Sequence, residues 1–270
     1  MYICSPAASR SYAKNDIIEL AANNQDCVFL IYTNATLVDQ KFCDDLKRVG
    51  NVALAMSIEG TEESSTTGAA ARELTMPRSR RWSFLKKNKC LFGISVCYTR
   101  KKRRIRNERR FHRQDDRNGS KFAFYFNYMP VGHGADKELI PTPDQREYMY
   151  RWLRKMRNGK TGKPMFVMDF QDDGEYVGGC IAAGRNYFHI NSAGDIEPCV
   201  FIHYSDTNIR THTLLEALKS PLFTAYYKGQ PFNDNHLRPC PMLENPELLR
   251  KIVKESGAHS SDLLNKRGCR

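Results

Sequence analysis

The chain has 270 residues, 41% of them hydrophobic, and no apolar run long enough to cross a bilayer, so one or two soluble globular domains are expected and a membrane-spanning protein is excluded. Nine cysteines, with no basic-then-apolar leader after Met1, exclude a secreted disulfide framework; they place the chain in the cytoplasm, with thiols available for metal ligation or burial. A net charge of +12 suggests a phosphate-rich partner only where the charge forms a surface, and most of it falls in two tracts, residues 72–81 and 102–117.

In chain order, residues 28–32 read as a short apolar strand, 39–49 as an amphipathic helix and 52–58 as a strand. Residues 84–88 then end a helix, and 91–98 and 122–129 are strands. Near-continuous apolar strands separated by helices predict an α/β fold, a parallel sheet with helices outside it. A parallel connection needs a dozen or more residues, usually a helix with an apolar face. Residues 102–120 supply the length but only Ile105 and Phe111 as apolar side chains.

Permitted codons for that tract, read one base later, give a string with F, I, M, I and M at helical spacing that ends on glycine. Residues 67–84, read from the third base, permit R-R-G-G-T-G-T-Y and a helical run that joins the in-frame Leu85. Residues 3–14 likewise permit M-L-T-G-G-E-P, which leads into Asn15. Tracts 3–13, 65–83 and 102–120 are therefore expected to be out of frame, and their basicity to be a product of frame. Codons that forbid these frames would restore the alternative, a basic nucleic-acid-binding protein using residues 72–81 and 101–117.

Further along, Tyr148, Trp152, Leu153 and Met156 follow helical spacing after Pro143, as do Leu214, Leu215, Leu218 and Leu222. Cys27, Cys43, Cys90 and Cys97 fall in or beside core elements and read as buried thiols. Residues 180–199 read as a strand, a turn on 191–195 and a returning strand, with Gly194 near the apex, so that Cys180 and Cys199 can converge. Cys240, between two prolines, adds a third thiol. Iron–sulfur ligation, zinc ligation and plain structural burial all remain open for this trio. A fourth position could be an open iron, His203, His236 or Cys269.

The reconstructed T-G-G-E-P, the in-frame Tyr32-Thr33-Asn34, Ser57-Ile58-Glu59-Gly60 at a strand end and the reconstructed R-R-G-x-G-T-Y together resemble the radical SAM superfamily. Cys180, Gly194, Cys199 and Cys240 resemble its SPASM or twitch domain, over about a third of the chain. The resemblance implies a partial (β/α) TIM-like barrel over residues 1–160 and a small α+β domain with a β-hairpin and an auxiliary iron–sulfur cluster over 161–270. It implies S-adenosylmethionine contacts at Thr33, Asn34, Ser57 and Glu59, with residues 128–132 near the adenine and His133 towards substrate, and cluster ligation by Cys180, Cys199 and Cys240. Ala35 stands where the family commonly has glycine.

The family binds a further 4Fe-4S cluster through C-x-x-x-C-x-x-C, and no such spacing occurs here. The chain is therefore expected to be an N-terminally truncated piece that does not itself cleave S-adenosylmethionine. Its intact relatives would use an electron donor to generate a 5'-deoxyadenosyl radical that abstracts hydrogen from a peptide or protein substrate, with neither a membrane nor a nucleic-acid partner.

Overall fold

The computed structural model describes residues 2–5, 11–35, 37–57, 78–100, 119–132, 134–158 and 165–262. Residues 6–10, 58–77 and 101–118, which hold much of the three tracts expected to be out of frame, lie outside the described residues, as do Glu59, His133 and Cys269. The chain divides into two compact units: residues 1–127 with 141–169, and residues 128–140 with 170–270.

In the first unit, β1 (Tyr2–Ser5), β2 (Val28–Thr33), β3 (Val52–Ser57), β4 (Phe92–Tyr98), β5 (Phe122–Asn127) and β6 (Phe166–Asp169) lie side by side in that order. Every neighbouring pair is parallel. Helices α1 (Ser11–Asn23), α2 (Gln40–Val49), α3 (Arg78–Lys87) and α4 (Pro143–Arg157) lie in the connections after β1, β2, β3 and β5. The α/β class expected from the strand–helix alternation is the one observed. β6 went unforeseen because its four residues are too few to show a period.

Local chemistry sets the helices. Asp39 accepts the Phe42 N–H at 2.8 Å to cap α2, and Phe42, Cys43, Leu46 and Val49 make its buried stripe. Thr142 and Gln145 form a reciprocal capping box ahead of α4, with Pro143 in its first turn. Trp152 and Leu153 are buried and Tyr148 and Met156 half-buried, with Met149 fully buried among them. The Trp152 ring meets Tyr125 of β5 edge-on at 5.7 Å.

The period of two splits the sheet into two unlike faces. Phe29, Ile31, Leu54, Met56, Phe92, Ile94, Tyr125 and Val167 pack with helix residues Phe42, Leu46, Leu85 and Leu153. Ala53, Ala55, Phe122 and Phe124, with Leu30, Tyr32, Phe126 and Met168, form a separate cluster drawn from strands alone. On a flat sheet β2 and β5 would stand about 14 Å apart, three strand spacings. The rings of Tyr32 and Phe126 nevertheless approach to 6.1 Å. The second face is thus the concave inside of a partial barrel, where Ala53, Ala55 and Gly93 leave room for the rings to meet. A Cβ on Gly93 would land on the Phe122 ring.

The second unit contains the antiparallel hairpin β7 (His189–Ile190) and β8 (Ile196–Glu197), and an antiparallel pair of β9 (Tyr204–Ser205) with β10 (His259–Ser260). Its helices are α5 (Gly174–Val177), α6 (Leu214–Leu218), α7 (Pro221–Lys228) and α8 (Pro246–Ser256). Ile196, Leu222, Phe223, Tyr226 and Ile252 form its core. The hairpin is shorter than expected: residues 182–186 form turns, and Ala183 and Gly184 have φ of 51° and 79°, which strands do not admit. The leucine stripe also differs. Ser220 caps α7 and Pro221 opens it, so the run breaks there; Leu215 is 61% exposed while Leu222 is fully buried. Among the described residues no helix is long and apolar enough to cross a membrane.

Candidate functional site

Ligands of parallel α/β sheets bind at the carboxyl ends of the strands, where loops leave a crevice. Ser57 ends β3, exposed, on the concave face and in register with Ser95 of β4. The same row continues through Phe124 of β5 to Met168 of β6. One step nearer the carboxyl edge, Cys97 pairs with Phe126. Cys97 was expected in the core; the period of two puts it on the concave face, half-buried.

Thr33 takes the opposite side. It pairs with Met56 on the helix-covered face, is 5% exposed, and its hydroxyl accepts the Ala35 N–H at 3.0 Å. Thr33 and Ser57 thus end neighbouring strands but face different ways. Asn34 is exposed in the turn beyond Thr33. Tyr128, of the candidate residues 128–132, accepts the Asp136 N–H on its hydroxyl at 3.0 Å and so folds its own loop.

Sequence reasoning passed over three residues on the helix-covered face. Tyr98, Asn127 and Asp169 close β4, β5 and β6, each at most 2% exposed, and the Tyr98 hydroxyl donates to Asp169 Oδ2 at 3.2 Å. The available signal was a polar residue ending each apolar strand.

The three cysteines expected to bind metal lie in the second unit, and one of them meets a buried hydroxyl. The Tyr226 hydroxyl is 3.2 Å from the Cys180 sulfur and in electrostatic reach of Cys199 and Cys240. The Cys240 sulfur accepts the Leu243 N–H at 3.4 Å, and nearby backbone N–H groups of Ala182 and Phe201 favour the thiolate forms of Cys180 and Cys199. Burial pushes all three thiols up, Cys240 to about 12, and their mutual repulsion as thiolates adds to the rise at Cys199 and Cys240. A neutral thiol is a weak acceptor, so the Leu243 amide at Cys240 and the Tyr226 hydroxyl at Cys180 suit thiolates better than thiols. Among the described residues no three Cys, His, Asp or Glu side chains are grouped to hold a single metal ion.

The cysteine segments are anchored independently. Arg185 donates to the Cys180 and Val177 carbonyls, both at 2.6 Å, and the Cys180 N–H reaches Gln230 Oε1 at 3.1 Å. In the turn between β7 and β8, Asn191 Oδ1 accepts the N–H groups of Ala193 and Asp195, while Gly194 takes a φ of 89°. Beside Cys199, the fully buried Glu197 carboxylate accepts from Ser261, His189 and Asn191 at 2.5, 2.6 and 3.0 Å, with His203 at 3.4 Å. Burial works to raise the Glu197 pKa, but the donors overcome it and hold it at about 2. His203, one option for a fourth ligand, thus has its Nδ1 turned to Glu197.

Neither a family model nor a curated protein matches the sequence. Solved structures do match the fold. SuiB of Streptococcus suis bound to S-adenosylmethionine superposes with a TM-score of 0.62 at 17% identity, covering 88% of this chain and 60% of SuiB. SuiB bound to its precursor peptide SuiA gives 0.60 at 16%, covering 83% and 54%. Native anSMEcpe with bound AdoMet gives 0.61 at 13%, covering 100% of this chain and 84% of anSMEcpe. This chain spans less than two thirds of SuiB. The curled, all-parallel α/β sheet is thus the fold that this chain shares with SuiB and anSMEcpe.

Proposed function

We propose that the chain is part of a radical SAM protein whose residues 170–270 form an auxiliary-cluster domain of SPASM or twitch type, with Cys180, Cys199 and Cys240 as iron–sulfur ligands. The observation that carries this reading is the Cys180 sulfur set against the hydroxyl of a buried tyrosine, with the Cys240 sulfur accepting the Leu243 N–H. The donor set fits a cluster better than zinc. A single zinc needs its thiolates about 3.8 Å apart, twice the Zn–S reach across a tetrahedral angle. Thiolates of a cluster bind different irons and stand further apart, and the three cysteines come from separate segments with no paired C-x-x-C knuckle of the zinc type.

A cluster bound there would supply one-electron transfer. The protein's part is to hold three half-buried thiolates and to donate hydrogen bonds to them from Tyr226 and the Leu243 amide. On the barrel side, Ser57, with Asn34 and Glu59, is proposed to contact S-adenosylmethionine from the carboxyl edge. Thr33 is proposed to act indirectly, by shaping the turn that carries Asn34. SuiB and anSMEcpe were each solved with a peptide, which supports a peptide or protein substrate here. The 270 residues hold no C-x-x-x-C-x-x-C segment, so this chain by itself is proposed not to cleave S-adenosylmethionine reductively.

Anaerobic reconstitution with iron and sulfide tests the reading. Bound iron and sulfide with a broad visible absorption band are expected, and both should be lost in Cys180→Ala and Cys199→Ala. Iron uptake unchanged by either substitution would refute it.

A further inference from the structure

Tyr226 lies in α7 with no exposed area, its ring edge-on to Phe232 at 4.7 Å. Its position is fixed from several sides: Ser220 accepts the Phe223 N–H to cap the helix, and the Leu222 N–H donates to Asp206 at 2.8 Å. The Cys180 sulfur, 3.2 Å from the phenol oxygen, belongs to a segment held separately by Arg185 and Gln230. Neither partner has to move for the two to meet.

A phenylalanine would fill this part of the core without a hydroxyl to desolvate. Burying that hydroxyl costs free energy that a neutral thiol, a weak acceptor, repays poorly. A thiolate repays it well, because hydrogen bonds to ionised acceptors are roughly twice as strong as neutral ones. Once Cys180 has given up its proton to bind iron, its sulfur can only accept, so the phenol has to donate.

We propose that Tyr226 is a positioning residue for the cluster, its hydroxyl donating a hydrogen bond to the Cys180 thiolate and so raising the cluster's reduction potential. This rests on the cluster reading given above. A donor draws charge from the ligating sulfur and thereby favours the reduced, more negative state; hydrogen bonds to the sulfurs are among the factors that set cluster potentials.

The test compares the full wild-type chain with Tyr226→Phe, both reconstituted anaerobically with iron and sulfide. The readouts are iron and sulfide content and the midpoint potential, from a redox titration followed by absorption and electron paramagnetic resonance. Equal iron content with a midpoint shifted to more negative potential is expected in Tyr226→Phe. Wild-type chain grown on 3-fluorotyrosine, whose hydroxyl is more acidic and a stronger donor, should shift the opposite way, and this arm does not depend on the variant folding. Iron bound with unchanged midpoints in both arms would leave the cluster reading intact and overturn the role of Tyr226. Cluster retained in Tyr226→Phe with the wild-type midpoint, whatever the iron content, would overturn the role of Tyr226 as donor. A wild-type chain that takes up no iron would remove the cluster reading and this inference with it.

Discussion

Ala35 follows Thr33 in the turn after β2, and its φ of 59° lies in the left-handed region that favours glycine. An alanine there costs about 1–2 kcal/mol in backbone strain. Glycine would relieve the strain but forfeit about 0.8 kcal/mol of methyl burial and add chain entropy to the unfolded state. Ala35→Gly is therefore expected to change stability by less than about 0.5 kcal/mol. Ala55, equally buried but extended within β3, has no strain to relieve, so Ala55→Gly should cost about 1.5 kcal/mol. Urea unfolding of the two variants separates the cases; equal losses would show that the turn at Ala35 carries no strain.

At the scale of elements, the curl of the sheet depends on small residues in its middle strands. Ala53, Ala55 and Gly93 face the concave side while Tyr32, Phe122, Phe124 and Phe126 lean over them, with Tyr32 and Phe124 at 6.5 Å and Phe122 and Phe124 at 5.1 Å. A side chain on Gly93 would displace Phe122. Gly93→Ala should destabilise by about 1–3 kcal/mol, the range for overpacking a filled core. It should also disturb the neighbouring Ser57–Ser95 row at the carboxyl edge. Ligand binding at Ser57 should weaken along with stability, which isothermal titration with S-adenosylmethionine would measure. A variant as stable as wild type would mean that Phe122 has room to move.

For the molecule as a whole, a cluster bound to the folded chain but not to the unfolded one stabilises by mass action, about 4 kcal/mol at a thousandfold excess over Kd. For a protein of this size that corresponds to a rise of roughly 10 °C in the midpoint of thermal unfolding. Reconstituted chain is therefore expected to melt higher than metal-free chain, chelation should reverse the gain, and Cys240→Ala should show little of it. Melting curves that do not respond to iron and sulfide would argue that the three thiols are structural.

Much of the fold was legible in the sequence because its causes are local. Asp39 and Thr142 mark helix starts, Phe42, Leu46 and Val49 mark one buried stripe, and the apolar runs of β2 to β5 mark strands covered on both faces. Their alternation with helices leads to a parallel sheet. The same locality explains the misses: Leu214 to Leu222 kept a helical period across Ser220-Pro221, where two helices meet, and β6 was too short to show a period. The site depended on the tertiary structure. Only strand register puts Thr33 and Ser57 on opposite faces and brings Cys97 to the concave one. Only chain closure brings the Cys180 sulfur to a hydroxyl 46 residues away. By itself the sequence determined which thiols are available for metal-binding chemistry; the tertiary structure decided that one of them meets a buried tyrosine hydroxyl, because convergence across such a separation is set by packing and not by spacing.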